Sequence, residues 1–378
     1  MTVPHIDRFA IIDSTLREGE QFAPANFTTD DKLRIVEGLD RFGVEYIEMT
    51  SPVASPRSDT DLRIVVAMPR RARILTHVRC TLEDVARAID CGVDGVNVLF
   101  GTSAWLRTHS HGRSIEAIID EACVVVDWVR SQGVEIRFSC EDSFRTDPDE
   151  LTRVYAAVAT HGVDRVGLAD TVGIATPGQV AAVTARVRAV VDCDIEFHAH
   201  NDAGCAVANA CSALEAGATH IDTTILGIGE RNGIVSLSAM VARVMTIDPQ
   251  LVRHYRLELL PELDAMVSAM TGIPIPFSAP ITGEHAFSHK AGMHTKAVLN
   301  NPGTYEILDP TQFGRSRQIL SGHRLMGWNA LRHRATELGL TFDDSRLRQI
   351  TQEVKRRADV HPINSTELDD LLRASAAV

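Results

Sequence analysis

Two histidines that lie two residues apart, His198 and His200, are the side chains in this sequence best suited to binding a metal ion. They lie in residues 196–202, EFHAHND, at the end of a run that is typical of a β-strand. Strand side chains point alternately to opposite faces, so these two imidazoles face the same way. The carboxylates on both sides of the pair favour a divalent-metal site, although the pair alone fits solvated surface histidines equally well.

A third metal ligand is offered by Glu18, which follows the first predicted strand. One carboxylate and two imidazoles leave open positions on a divalent ion, as in catalytic rather than structural sites. Arg17 would bring a permanent positive charge to the place where negative charge develops on a carbonyl oxygen. On a later strand, Arg137 and Ser139 share one face and offer a guanidinium and a hydroxyl to a carboxylate, and Glu141 can point the same way. A buried Arg–Glu pair that only stabilises the fold is the competing interpretation.

Eight short runs, most of them rich in Val, Ile or Phe, alternate with amphipathic helical stretches and must position these residues. The predicted strands are Phe9–Ser14, Tyr46–Thr50, Arg73–His77, Gly95–Leu99, Glu135–Ser139, Arg165–Ala169, Asp194–His198 and His220–Thr224. This rhythm predicts an α/β fold, a (β/α)8 TIM barrel, rather than an open doubly wound sheet. No GxGxxG follows the first strand, which argues against dinucleotide binding. The polar residues gather at the carboxyl ends of the strands, where the chemistry of such barrels belongs.

The pattern changes near Pro274, where a proline-rich stretch interrupts the alternation. A polar, glycine-containing region follows, and amphipathic helices are predicted over Asp344–Val360 and Ser365–Leu372. We therefore expect a catalytic barrel over residues 1–273, a linker or lid subdomain over residues 274–321 and a C-terminal helical subdomain over residues 322–378.

Composition excludes several classes of protein. The 378 residues carry a formal net charge of −12, which argues against general affinity for nucleic acid or an anionic membrane. No apolar run approaches the roughly 20 residues of a membrane span, and the N-terminus lacks the pattern of a signal peptide. The seven cysteines form no CxxC pair, which is typical of reduced thiols. These features predict a cytoplasmic location.

Four motifs identify the chain as similar to a known family. Residues 13–21, DSTLREGEQ, resemble the D-x-T-L-R-[DE]-G-x-Q signature of the DRE-TIM metallolyases, and residues 198–202, HAHND, match their H-x-H-[ND]-D. Within that group, GIGERNG at 227–233 and SHKAGMH at 288–294 resemble the α-isopropylmalate synthase and homocitrate synthase branch, with homocitrate synthases as the best match. The resemblance extends from about Ile11 to beyond Gly314.

The resemblance implies condensation of acetyl-CoA, as co-substrate, with a 2-oxo acid, followed by thioester hydrolysis. It implies that Glu18, His198 and His200 bind a divalent metal (Mg²⁺, Mn²⁺, Co²⁺ or Zn²⁺) and that Arg17 polarises the ketone of the substrate. The remaining implied roles concern the two ends of the substrate and the acetyl group. Thr171 would hold the carboxylate near the metal, His77, Arg137 and Ser139 the distal carboxylate, and Glu141, His294 and Tyr305 would remove the acetyl proton. In this family the segment that carries His294 reaches over the partner's barrel, which implies a homodimer.

The choice of 2-oxo acid rests on three positions. Arg137 favours a substrate with a second anionic end, which supports 2-oxoglutarate over the substrate of an isopropylmalate synthase. Asn97 and Leu299 depart from the residues expected in lysine-route enzymes. Oxaloacetate, or 3-phosphonopyruvate giving 2-phosphonomethylmalate, therefore stays an alternative substrate. Two different functions also compete with the synthase reaction, a CoA-independent retro-aldol lyase and a metal-bound barrel that only binds ligands.

Overall fold

The structure, a computed structural model, describes residues 5–376 and has a closed barrel of eight parallel strands. The strands pair in sequence order and β1 closes the barrel against β8. They are β1 Ala10–Leu16, β2 Tyr46–Met49, β3 Arg73–Arg79, β4 Gly95–Gly101, β5 Glu135–Glu141, β6 Arg165–Asp170, β7 Asp194–Ala199 and β8 His220–Thr223. The predicted TIM barrel is confirmed, and each predicted strand lies within two residues of an observed one at both ends.

Helices follow the strands and cover the outside of the barrel. Those of the barrel unit are α1 Thr29–Phe42, α2 Pro56–Ala67, α3 Leu82–Asp90, the short α4 Ala104–Leu106, α5 Ile115–Ser131, α6 Pro148–Thr160, α7 Pro177–Arg188, α8 Ala206–Glu215, α9 Leu237–Met245 and α10 Leu260–Thr271. Helix α1 shows the local signals that set such boundaries. Thr28 and Asp31 form a reciprocal capping box at its start, and Gly43 ends it with a φ of 105°, which glycine adopts at little cost.

Strand β5 shows how alternation separates the apolar core from the site. Ile136 and Phe138 are fully buried on the side of the strand that faces the helices. The intervening Arg137 and Ser139 point into the barrel, where Arg137 reaches Glu196 of β7 and Ser139 lines the central cavity. The barrel interior is therefore polar and charged, while the hydrophobic core lies between the strands and the helices.

The chain divides into two compact units at residues 282 and 283. The second unit contains β9 Ser288–His289, α11 Gly292–Asn300, β10 Gln318–Ile319, α12 Trp328–Glu337, α13 Asp344–Ala358 and α14 Ser365–Ala376. β9 and β10 pair in parallel, and the last three helices enclose a core that includes Leu331, Val354 and Leu372. The three-domain division expected from the sequence stays a prediction. Among the described helices, none combines the length and apolar character needed to cross a membrane.

Candidate metal-dependent active site

A cavity of about 690 Å³ opens at the carboxyl ends of the barrel strands. Its lining includes all nine site residues that the sequence predicts in the barrel unit. They are Arg17, Glu18, His77, Arg137, Ser139, Glu141, Thr171, His198 and His200. These residues come from β1, β3, β5, β6 and β7 or from the loops that follow them, so closure of the barrel brings together groups that are up to 183 positions apart.

Three of these side chains form a compact cluster of metal-ligand type. One ligand atom each of Glu18, His198 and His200 lies within 4.8 Å of the other two, and all three residues are buried. The Nδ1 of His198 is 2.6 Å from the carboxylate of Asp222, which leaves Nε2 on the opposite side of the ring for a ligand. The Nδ1 of His200 is buried without a hydrogen-bond partner. A carboxylate and two imidazoles at this spacing fit a divalent transition metal or Mg²⁺.

The protonation states of the cluster suit metal binding. Burial would raise the pKa of Glu18, but Arg17 and the two histidines outweigh it and lower that pKa to about 2. Burial, with Arg17, lowers the pKa of His198 to about 4, and burial, with His198, lowers the pKa of His200 to about 4. At neutral pH the carboxylate is therefore charged and both imidazoles are neutral, which is the form that coordinates a metal.

The charges around Arg17 also favour a bound cation. Its guanidinium contacts three buried carboxylates, those of Glu18 at 2.5 Å, Glu48 at 2.5 Å and Asp222 at 3.2 Å. When all three are ionised, one positive charge faces three negative charges, an excess of two that a divalent ion would neutralise. Burial raises the pKa of Asp222 to about 7 against the effect of Arg17, as expected for a carboxylate in this crowded set. The residues present thus fit a divalent metal in both ligand type and charge.

A row of three polar side chains crosses the opposite wall of the barrel. His77 on β3, Asn97 on β4 and Arg137 on β5 are in register on neighbouring strands. Several of their atoms are buried without a hydrogen-bond partner: both ring nitrogens of His77, Oδ1 of Asn97, and Nε and Nη1 of Arg137. His77 Nδ1 lies 3.5 Å from Glu48 without hydrogen-bond geometry, and Asn97 donates to Glu48 at 2.5 Å. Buried polar groups are almost always paired in folded proteins, so this row has the chemistry of a ligand subsite.

The two hydroxyls predicted at the site differ in what they can donate. The Ser139 hydroxyl donates to the carbonyl oxygen of Gly167 at 2.9 Å, so it offers a ligand only its lone pairs until it rotates. Thr171 Oγ1 accepts the backbone N–H of Asp142 at 2.8 Å, which leaves its own proton free for a substrate oxygen. Of the two, Thr171 is the better placed to donate to a carboxylate.

The three residues predicted to move the acetyl proton lie in two different units. Glu141 lines the barrel cavity, where burial, with nearby Asp142, raises its pKa. His294 and Tyr305 belong to the second unit, where their rings lie 4.2 Å apart between centroids and both residues are exposed. The structure therefore brings His294 and Tyr305 together, and their joint action with Glu141 stays a prediction.

Three charged residues that organise the site have no assigned role in the sequence prediction. These are Glu48, Glu196 and Asp222, all 1% exposed and all within strands. The signal available in the sequence was a polar side chain inside a strand that is otherwise apolar. Their partners could not be read from it, because Arg17 and Asp222 are 205 positions apart and meet only when β1 pairs with β8.

Comparisons with known proteins agree with these features. Residues 8–267 match the HMGL-like family model, and residues 281–362 match the model for a homocitrate synthase post-HMGL domain. The chain is 51% identical to a mitochondrial homocitrate synthase of Penicillium rubens over 98% of its own length and 78% of that protein. It is 52% identical to a mitochondrial homocitrate synthase of Schizosaccharomyces pombe over 97% of its own length and 88% of that protein.

A solved structure supports the fold independently. An HMG-CoA lyase from Bacillus subtilis superposes with a TM-score of 0.65 at 22% identity, over 72% of this chain and 97% of that one. This likeness concerns the fold alone, whereas the two family models and the two relatives together cover almost the whole chain. The resemblance stated from the motifs is confirmed: the chain belongs to the homocitrate synthase family.

Proposed function

We propose that this protein is a metal-dependent acyltransferase that condenses acetyl-CoA with 2-oxoglutarate to give homocitrate and CoA. The observation that carries the proposal is the presence, in one cavity, of a metal-ligand cluster and a buried arginine with unpaired N–H groups. A 2-oxo dicarboxylic acid has complementary parts, a keto acid at one end and a carboxylate at the other. Curated relatives that bear the name homocitrate synthase support the same substrate.

Glu18, His198 and His200 would hold the divalent ion, whose identity among Mg²⁺, Mn²⁺, Co²⁺ and Zn²⁺ their ligand types leave open. When bound, such an ion supplies Lewis-acid polarisation of a keto oxygen. Asp222 orients the ring of His198 by accepting from Nδ1. The guanidinium of Arg17, next to Glu18, offers positive charge where the attacked carbonyl oxygen becomes negative.

The two ends of the substrate would be held by different strands. The free hydroxyl proton of Thr171 suits the carboxylate beside the keto group. Arg137 and His77, with buried N–H groups that lack partners, suit the distal carboxylate, and Ser139 can assist once its hydroxyl turns from Gly167. Holding both ends fixes the ketone for attack.

Proton removal from the acetyl methyl group would involve Glu141, His294 and Tyr305. A thioester α-proton is weakly acidic, so a positioned base is needed, and the raised pKa of Glu141 makes its carboxylate a stronger base. The enolate then forms the new carbon–carbon bond with the ketone, and water releases CoA from the thioester. We propose, from the family resemblance, that His294 and Tyr305 act in the barrel of a second subunit, so the active form is a homodimer. The cytoplasmic location stays a prediction.

The test is thiol release with a panel of 2-oxo acids. Purified protein is incubated with Mn²⁺ or Mg²⁺, acetyl-CoA and one acid at a time: 2-oxoglutarate, oxaloacetate, 3-phosphonopyruvate or 3-methyl-2-oxobutanoate. We expect the highest kcat/KM with 2-oxoglutarate, with homocitrate identified as the product by mass spectrometry. Absence of thiol release with every acid would refute the synthase function, and a clear preference for one of the other acids would refute the assignment of the substrate.

A further inference from the structure

The side chain of Arg137 crosses a neighbouring strand to reach its partner. Arg137 lies on β5 and its Nη2 donates to Glu196, which lies on β7, with β6 between them. In the strand register, Gly167 of β6 stands directly beside Glu196. The guanidinium therefore lies over the backbone of β6 at the level of Gly167.

Gly167 is the residue that makes this path possible. A Cβ atom at this position would lie 2.6 Å from Nε of Arg137 and 2.8 Å from its Cζ, distances that real Cβ atoms do not show. The backbone of Gly167 does not have a positive φ, so its conformation does not demand glycine. The missing side chain at position 167 is explained by the space that the arginine occupies.

Glu196 pairs with only one nitrogen of the Arg137 guanidinium. One of its carboxylate oxygens accepts from Nη2 of Arg137, and the other accepts from Nε of Arg165 at 3.2 Å. Glu196 therefore ties Arg165 and Arg137 together but reaches only Nη2 of Arg137, and the Nε and Nη1 of Arg137 are both buried without a partner. Arg165 is in register with Arg137 and is itself only 1% exposed.

Arg137 and Glu196 lie at one end of a series of ion pairs whose charges do not cancel. The series consists of three arginines and two glutamates, in the order Arg73, Glu135, Arg165, Glu196 and Arg137. Its net charge is one positive unit, and Arg137 is the member at the cavity. A substrate carboxylate beside Arg137 would balance the charge and could accept from its unpaired Nη1.

We propose that three positioning residues hold Arg137 so that the site selects 2-oxo acids with a second carboxylate. They are Gly167, Glu196 and Arg165, which together are called the Arg137 seat. This inference rests on the proposed function and adds the residues that set its substrate preference. None of the three touches the reacting atoms. Their effect passes through Arg137, whose guanidinium they hold at the cavity with N–H groups left for the substrate.

The first test is Gly167→Ala, which fills the path of the guanidinium with one methyl group. Loss of hydrogen bonds to a charged carboxylate predicts a rise of about 10- to 100-fold in KM for 2-oxoglutarate, with a smaller change in kcat. The affinity for 2-oxobutanoate, which lacks the second carboxylate, stays unchanged as measured by competitive inhibition. Gly38→Ala is the matched control, because its added Cβ meets only Leu263 and Met266, on α10. An unchanged preference in Gly167→Ala would overturn the proposal.

The second test places Gly167→Ala in an Arg137→Ala background. If the Arg137 seat acts only through Arg137, the double variant should bind 2-oxoglutarate as weakly as Arg137→Ala alone and no more weakly. Binding is measured by calorimetry with Mn²⁺ and without acetyl-CoA. Additive losses would overturn the proposal. If Gly167→Ala does not fold, the double variant should regain soluble, folded protein, since the clash is with Arg137. A double variant that stays unfolded would count against the seat. Failure of the proposed function itself is seen separately, as absence of thiol release by the unmodified protein.

Discussion

Asp222→Asn is the change that most directly tests how the candidate metal site is organised. Asp222 is 1% exposed and does not belong to the three-residue ligand cluster. Its carboxylate accepts from Nδ1 of His198 at 2.6 Å, from Arg17 at 3.2 Å and from the hydroxyl of Ser14. Asparagine keeps the shape but removes the charge and replaces one acceptor oxygen with a donor. We expect the substitution to weaken metal binding without removing a ligand.

The expected magnitude follows from the bond to His198. A hydrogen bond to a charged group contributes about 1.5–3 kcal/mol, and loss of a partner that orients a metal-binding histidine costs about 10- to 100-fold in metal affinity. A 100-fold loss corresponds to about 2.7 kcal/mol, so the two ranges agree. The change should lie inside this range because Glu18, His198 and His200 all remain.

The assay is calorimetric titration of metal-free protein with Mn²⁺. Asp61→Asn is the control, because Asp61 is also 1% exposed but lies on α2, where it pairs with Lys32 outside the ligand cluster. The control should bind Mn²⁺ as the unmodified protein does. Equal Mn²⁺ affinity in Asp222→Asn and the unmodified protein would refute the orienting role of Asp222, and loss of folding in circular dichroism would show that its main role is structural.

Three further changes address the ligand set, the base and a buried acid. Glu18→Gln removes the only carboxylate of the cluster and should abolish stoichiometric Mn²⁺ binding in metal analysis after dialysis; full occupancy would exclude Glu18 as a ligand. Glu141→Gln should lower kcat by about 10²- to 10⁴-fold while 2-oxoglutarate still binds; an unchanged kcat would remove Glu141 from proton transfer. Burial raises the pKa of Asp13 from 3.8 to about 7, so the folded state binds this proton more tightly than the unfolded state. The free energy of unfolding should therefore fall as pH rises from about 4 to 7, by on the order of 1 kcal/mol per pH unit. Asp13→Asn should flatten that slope when the free energy is measured by urea titration at each pH. Equal slopes in Asp13→Asn and the unmodified protein would contradict this.

The barrel was predictable because each strand has an unambiguous local pattern. In β5 the alternation of Ile136 and Phe138 with Arg137 and Ser139 reflects one face under helices and one face in a polar interior. Helix α2 begins with strong local signals, because Ser55 supplies its cap and Pro56 its first-turn residue. Its amphipathic pattern over Pro56–Ala67 is weak, so its boundaries are marked by these residues more than by periodicity.

The site was only partly predictable, because motifs identify residues but not their partners. His198 and His200 are two positions apart, so the strand period already implies that they converge. That Asp222 orients His198, and that Glu196 is shared between Arg137 and Arg165, depends on the register of strands distant in sequence. The direction of the Ser139 hydroxyl likewise depends on Gly167 of the neighbouring strand. Such pairings arise on barrel closure and leave no local signal.

The most direct test of the central claim is a crystal structure of the protein with Mn²⁺ and 2-oxoglutarate, with anomalous scattering measured at the manganese edge. The proposed function predicts one strong anomalous peak bonded to Glu18, His198 and His200, with the distal carboxylate of 2-oxoglutarate in contact with the guanidinium of Arg137. A manganese ion held by other residues, or a distal carboxylate away from Arg137, would contradict it.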